Sequence, residues 1–337
     1  MPTPINVATL SPGARVHHEL RVVEREMKKT RNGDPYALLT LGNRHGEIKC
    51  APVWSDKLHW VDGAEPGTIV QAIGEVKTYS DGARVKRQLE LTGPLRLINS
   101  TSINLDDFLP RVDDDLTLLW SSLDKLRGEI SSSKLRRVVG LFFDDDLFRL
   151  QFEKAPGSTR GHHAKVGGLL RHVTEVTAIA RTIAKSMRTG NVNPVNLDLV
   201  VTGALLHDVG KVEAYRVSPA GFETTPCGHL LGHIVLGALM LERRMAAVGE
   251  QICSEQQLLE LQHLILSHHG TLEFGSPVRP MTLEAEIVHW ADESSAKANS
   301  FVESIGDASN FAGGGEFSER VWMLDNRRLW QRQHGWD

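Results

Sequence analysis

The segment Ala204-Leu205-Leu206-His207-Asp208-Val209-Gly210-Lys211 constrains this chain more than any other stretch. An apolar run beginning at Leu197 reads as a buried helix, and it delivers a histidine and an aspartate side by side at its end. Setting two adjacent ligand-type side chains against an apolar core is costly unless something pairs with them. The pattern recurs at wide intervals, with His172 before the pair and His233, His268, His269 and Asp292 after it. Nearly every member sits on or beside an apolar helical stretch. Imidazole and carboxylate together suit manganese, iron or zinc, and a set without thiolates argues against a structural zinc site. Sequence neighbours cannot share one face of a straight helix, so the pair belongs near a helix end, where Val209-Gly210 loosens the backbone. An aspartate has two oxygens and can bridge two ions. With histidines on either side of such an aspartate, a two-metal site that hydrolyses a phosphoester becomes feasible.

At 337 residues the chain has room for two or three domains. Short apolar-alternating runs fill residues 14 to 98, separated by turns such as Gly42 to Gly46 and Ser80-Asp81-Gly82. Five or so strands in about 85 residues, with no long helix, predict a small closed barrel, most simply an oligonucleotide-binding (OB) fold. From Asp113 onward the period becomes helical, with stripes at Leu116, Leu119, Leu123 and Leu126 and at Leu135, Val138, Val139 and Phe142. The expected architecture is therefore multi-domain: an OB-like β-barrel over residues 1–98, a linker over 99–112, an all-α domain over 113–312 and a C-terminal tail over 313–337.

A net charge of -4 excludes a polycation that coats nucleic acid, so any such binding rests on local patches. Lys28, Lys29 and Arg31 cluster in one expected loop and Arg84, Lys86 and Arg87 in another, with Tyr36, Tyr79, Trp54 and Trp60 as candidate stacking residues. Trp54 and Trp60 could equally pack the barrel. Cys50, Cys227 and Cys253 are odd in number and far apart, which suits a reducing cytoplasm better than a disulfide framework. Neither a secretory leader nor a membrane-spanning run is visible.

Six motifs in order carry a resemblance. They are His162-His163-Ala164 leading to Gly167-Gly168-Leu169-Leu170-Arg171-His172, Gly203 to Lys211, Leu230-Leu231-Gly232-His233-Ile234, Ile265-Leu266-Ser267-His268-His269-Gly270, Gly275-Ser276-Pro277-Val278-Arg279-Pro280, and His289-Trp290-Ala291-Asp292. In these the chain resembles the HD-domain metallophosphohydrolases, specifically the YhaM-type 3'-5' exoribonucleases. The resemblance implies that His172, His207, Asp208 and Asp292 hold one divalent ion. It implies that Asp208 bridges to a second, held by His233 and His268 with a contribution from His269. Manganese is the first expectation, with iron or another transition metal as alternatives. Lys211 would reach a nonbridging phosphate oxygen, Arg279 would bind phosphate, and His163 would line the pocket. Single-stranded RNA is the implied substrate, with single-stranded DNA and oligomerisation left open. Three departures stand out: Arg171 where the family has a carboxylate, a turn at Gly42 to Gly46 without its acidic residue, and Glu293-Ser294-Ser295 after Asp292.

Two other readings compete with the exonuclease. A hydrolase of cyclic or free nucleotides uses the same metal site, although Ser276-Pro277-Val278-Arg279-Pro280 is not the Gly-Tyr-Pro type expected of a cyclic-dinucleotide enzyme. A nucleic-acid-binding scaffold with a catalytically dead helical half is the other, and the presence of every expected ligand speaks against it.

Overall fold

Apolar side chains fall on alternate positions of Val16, Leu20 and Val22, and that periodicity builds the first strand, β1 (Arg15–Lys29). A computed structural model describes residues 5–81, 84–98, 107–158, 164–188, 195–218, 221–307, 310–311 and 315–335. After β1 come β2 (Pro35–Asn43), β3 (Gly46–Lys49), β4 (Ile69–Asp81), β5 (Arg84–Leu91) and the two-residue β6 (Arg96–Leu97), which pairs with β4. The antiparallel neighbours run β3-β2-β1-β4-β5, and a parallel bridge between Cys50 and Leu89 brings the end of the β3 segment to β5. The sheet is thereby nearly closed into a five-stranded barrel with the strand order of an OB fold. A register shift between Val22 and Glu24 marks a bulge at which β1 bends around the barrel. Leu20, Leu39, Leu41, Val70, Ala72, Val76 and Leu89 fill the interior.

The basic clusters lie mostly in strands rather than in the expected loops. Lys28 and Lys29 pair with Tyr36 and Pro35 across β1 and β2, and Lys86 and Arg87 pair with Tyr79 and Thr78 across β4 and β5. Once the inner residues set the register, the backbone ladder continues outward whatever the side chains are. Trp60 packs against the barrel core, whereas Trp54 is 51% exposed with its ring 5.1 Å from that of Tyr36.

The chain divides into two compact units, one of Met1–Arg111, Ser218–Gly221 and Ser304–Asp337, the other of Val112–Val217 and Phe222–Glu303. The second is built from α1 (Leu116–Gly128), α2 (Ser133–Phe143), α3 (Asp146–Lys154), α4 (Gly168–Arg188), α5 (Leu197–Leu206), α6 (Lys211–Ala214), α7 (Pro226–Ala247), α8 (Glu255–Ser267) and α9 (Leu283–Gly306). Local chemistry starts these helices. Asp115, Ser132, Asp145, Asn196 and Thr225 each accept a first-turn N–H, and Ser254 with Gln257 forms a capping box. Phe142, Phe143, Phe148 and Phe152 interlock with ring centroids 5.3 to 5.8 Å apart, each burial contributing about 1.5–3 kcal/mol. The helix α5 is buried from Leu199 to Leu206 on every face, as an all-round apolar sequence requires. Gly203 lets it approach α8 and α9, since a Cβ there would stand 3.0 Å from Leu264 Cδ1 and 3.3 Å from Val288 Cγ2.

The helical region also contains a hairpin, β7 (Tyr215–Ser218) with β8 (Gly221–Thr224), that periodicity did not predict. Its strands are pinned by Arg216 on Glu223 at 2.7 Å, and at four residues each they are too short for the Tyr215/Val217 alternation to stand out. Among the described residues no helix is long and apolar enough to cross a membrane.

Candidate metal centre

Two helix ends converge on one point. His207 follows α5 as its C-cap and His268 follows α8 in the same way. A helix C-terminus leaves carbonyls without intrahelical partners, and both histidines use one. His207 Nδ1 donates to Ala204 O and His268 Nδ1 donates to Ile265 O, each at 2.6 Å. A carbonyl oxygen only accepts, so these nitrogens carry the protons and both Nε2 lone pairs face the interior. His269 Nδ1 is held the same way by Phe274 O at 2.7 Å. The C-terminal helix dipoles add a field that favours cations.

The remaining side chains come from the surrounding helices: His172 from α4, Lys211 from α6, His233 from α7 and Asp292 from α9. Gly232 (φ 72°) interrupts α7 immediately before His233. Asp208 lies at the centre with its carboxylate divided. Its Oδ2 stands 3.2 Å from His172 Nε2, 3.3 Å from His207 Nε2 and 2.6 Å from Lys211 Nζ. Its Oδ1 faces the other way, 3.4 Å from His233 Nε2 and 3.7 Å from His268 Nε2. Asp292 Oδ1 closes the first group at 3.1 Å from His172 Nε2 and 3.9 Å from His207 Nε2, and its Oδ2 is 4.0 Å from His269 Nε2.

Three buried atoms here lack a hydrogen-bond partner: Asp208 Oδ1, His233 Nε2 and His268 Nε2. Leaving one such group unsatisfied costs about 1–3 kcal/mol, so three aimed at one space call for a shared cation. Two donors bound tetrahedrally to one ion at about 2.1 Å are roughly 3.4 Å apart. The separations across the site match that spacing. Ligand atoms of His233, His268 and His269, of His172, His207 and Asp292, and of His207, Asp208 and His268 form three groups, each within 4.8 Å.

The electrostatics favour the same use. Burial opposes charge on His172, but hydrogen bonds to Asp208 and Asp292 outweigh it and push its pKa up to about 9. Its Nε2 lies 3.3 Å from His207 Nε2, a contact that a proton or a cation must mediate. Burial pushes His233 down to about 3 and holds His268 well below the ordinary histidine value, so both present neutral imidazoles. Burial also resists charge on Asp208 and Asp292. Lys211 and His207 override it for Asp208, and His172 overrides it for Asp292, so both carboxylates stay ionised.

The structure thus brings together His172, His207, Asp208, Lys211, His233, His268, His269 and Asp292. Arg279 is exposed and near enough to Glu273 to help lower the acid's pKa, behind hydrogen bonds from the Glu273 backbone and the Thr271 side chain. His163 lies outside the described residues. Sequence reasoning missed the supports. Ser295 is fully buried with its hydroxyl 3.4 Å from His172 Nδ1, and Ser276, also buried, accepts from His269 N at 3.0 Å. Ser295 registered in the sequence only as a departure after Asp292, and Arg171, another departure, reaches Asp114 at 3.4 Å. Tyr215 on β7 places its ring 6.4 Å from that of His233 with no sequence signal to mark it.

A helical bundle that gathers these histidines and aspartates around a consecutive His-Asp pair is the HD-domain class, and the HD domain family matches residues 169–297. The chain is 33% identical over 300 residues, 89% of either chain, to the 3'-5' exoribonuclease YhaM of Bacillus subtilis. The same enzyme of Bacillus licheniformis is 32% identical over 300 residues, again 89% of either chain. That of Bacillus pumilus is 29% identical over 325 residues, 96% of this chain and 97% of its own. The chain belongs to the YhaM family of HD-domain proteins. No solved structure matches it significantly.

Proposed function

We propose that this chain is a metal-dependent 3'-5' exoribonuclease that trims single-stranded RNA and releases nucleoside 5'-monophosphates. The division of the Asp208 carboxylate between two groups of donors carries the reading, because one bridging aspartate between histidines is what two divalent ions need. His172, His207, Asp208 and Asp292 hold one ion. Asp208, His233 and His268 hold the other with His269, and manganese is the first choice. When bound, the ions supply Lewis acidity toward the phosphate and lower the pKa of water.

The protein contributes position and charge. The fixed Nδ1–H tautomers of His207 and His268 keep their lone pairs aimed without reorganisation. Lys211, now neutralising Asp208, supplies the cation for a nonbridging phosphate oxygen, and the family resemblance assigns phosphate and pocket contacts to Arg279 and His163. The OB barrel, with Tyr36 and Trp54 paired beside the β1–β2 ribbon, supports a role in holding the strand. Free Cys50, Cys227 and Cys253 support a cytoplasmic site of action. Single-stranded DNA is a further substrate to include, and oligomerisation is open to sedimentation analysis.

The test uses oligoribonucleotides labelled at the 3' or the 5' end, several divalent ions, and His207→Ala as control. Mononucleotide released from the 3' label with manganese, and lost in the variant, is the expected result. Cleavage of cyclic or free nucleotides alone would overturn the substrate, and a fully active His207→Ala would overturn the metal site.

A further inference from the structure

The loop after His269 is built to hold one apolar ring in solvent beside the metal centre. Phe274 is 68% exposed, yet its turn is pinned at every step. Phe274 N donates to Thr271 O at 3.2 Å, Gly275 N to Leu272 O at 3.0 Å and Ser276 N to Thr271 O at 3.2 Å. Gly275 adopts a left-handed conformation (φ 93°), and the buried Ser276 hydroxyl accepts from His269 N. The Phe274 carbonyl takes the Nδ1 proton of His269, whose Nε2 faces Asp292. The main chain of Phe274 is therefore hydrogen-bonded directly to one of the candidate metal ligands. Leu272 of the same turn is exposed as well, so the pinned turn presents a pair of apolar side chains to solvent rather than a single stray one.

We infer that Phe274 is the stacking platform for the nucleobase next to the scissile phosphate at the 3' end of the strand. The inference rests on the exoribonuclease reading and deepens it. A base hangs from its phosphate by a single sugar, so a phosphate at the metal centre puts its base within reach of this turn. Stacking on an aromatic face tolerates every base, which suits an enzyme that removes nucleotides in succession. Leu230 and Leu231, both exposed, stand just before the Gly232 break and His233 in the sequence. Arg279 lies close enough to Glu273 of the same turn to act on it electrostatically.

The test compares the wild type with Phe274→Ala, Phe274→Leu and Phe274→Trp in manganese, on oligoribonucleotides ending in a normal or an abasic 3' nucleotide. Loss of one base–aromatic stack predicts a KM about tenfold higher for Phe274→Ala and Phe274→Leu on the normal substrate, with kcat and metal content unchanged. Phe274→Trp restores wild-type KM, and all four proteins behave alike on the abasic end. Equal KM for wild type and Phe274→Ala on the normal end overturns the inference. An equal loss on both substrates also overturns it, because that marks a structural role. A wild type that releases nothing from the 3' end overturns the underlying exoribonuclease reading instead.

Discussion

Gly210 offers a test of how the two halves of the metal centre are kept in register. It lies between Asp208 and Lys211 with helical dihedrals (φ -66°, ψ -16°), so alanine suits its backbone. On backbone grounds alone Gly210→Ala should stabilise the protein by roughly 0.5–1 kcal/mol. Packing predicts the opposite sign. A Cβ at Gly210 would stand 2.0 Å from His233 O, 2.4 Å from Gly237 N and 2.9 Å from Gly237 Cα, all backbone atoms of α7. Reaching an ordinary contact of roughly 3.4 Å means parting α7 from the His-Asp turn by about 1.4 Å. His233 Nε2 and Asp208 Oδ1, now 3.4 Å apart, would separate beyond about 4.2 Å, the most that two bonds of about 2.1 Å to one ion can span.

The expected result has two parts. Overpacking of this kind costs about 1–3 kcal/mol, or a fall in Tm of roughly 3–10 °C for a unit of this size. The second ion is lost as well, so metal analysis of the purified variant falls from two equivalents toward one. Gly232→Ala is the contrast: nothing lies within 4 Å of its Cβ, and its cost of about 1–3 kcal/mol comes from a backbone conformation (φ 72°, ψ 158°) essentially reserved for glycine. A Gly210→Ala protein at least as stable as wild type, holding two ions, would refute the reasoning.

Saturating manganese at a hundred times Kd should stabilise the wild type by about 2.7 kcal/mol per site over the chelated protein, and Asp208→Asn should remove most of that gain in thermal unfolding. An unchanged gain would show that Asp208 is not the shared ligand. Asp198 at the start of α5 accepts Ser131 N, Ser131 Oγ and Ser132 N at 3.0, 2.6 and 2.8 Å. Burial opposes its charge, but these donors outweigh burial and lower its pKa. Its stabilisation is therefore complete above the unfolded carboxylate value near pH 4 and fades as pH falls through the lower folded value. Asp198→Asn should cost about 1–2 kcal/mol in urea unfolding at pH 7, with the gap to wild type closing below about pH 4; a gap that widens in acid contradicts the assignment.

Legibility in the sequence followed the kind of constraint each residue obeys. The ligand types announce themselves, because a histidine or aspartate beside an apolar run has few inexpensive explanations, and His172, His207, Asp208, His233, His268 and Asp292 do meet in space. The all-apolar α5 was equally readable, since no exposed helix could carry it. The supports were not. Ser295, Ser276 and Tyr215 matter through the neighbours that tertiary packing brings to them, and their own residue types are ordinary on any helix, loop or strand. The strand positions of Lys28, Lys86 and Arg87 escaped for a related reason: backbone pairing there continues from a register set elsewhere, whereas the four-residue strands of the β7–β8 hairpin are too short to give a periodic signal.

The solvent-free course of α5 makes the helical half indivisible. A helix with one wet face can survive partial loss of its neighbours, but α5 turns Leu199, Val200, Leu205 and Leu206 toward different partners and has none to spare. Any truncation that strips one surrounding helix exposes an apolar cylinder, and the damage falls on the segment that positions His207 and Asp208. Such a bundle can be joined to other modules at its ends, while its interior admits change only when helix and ligands shift as one.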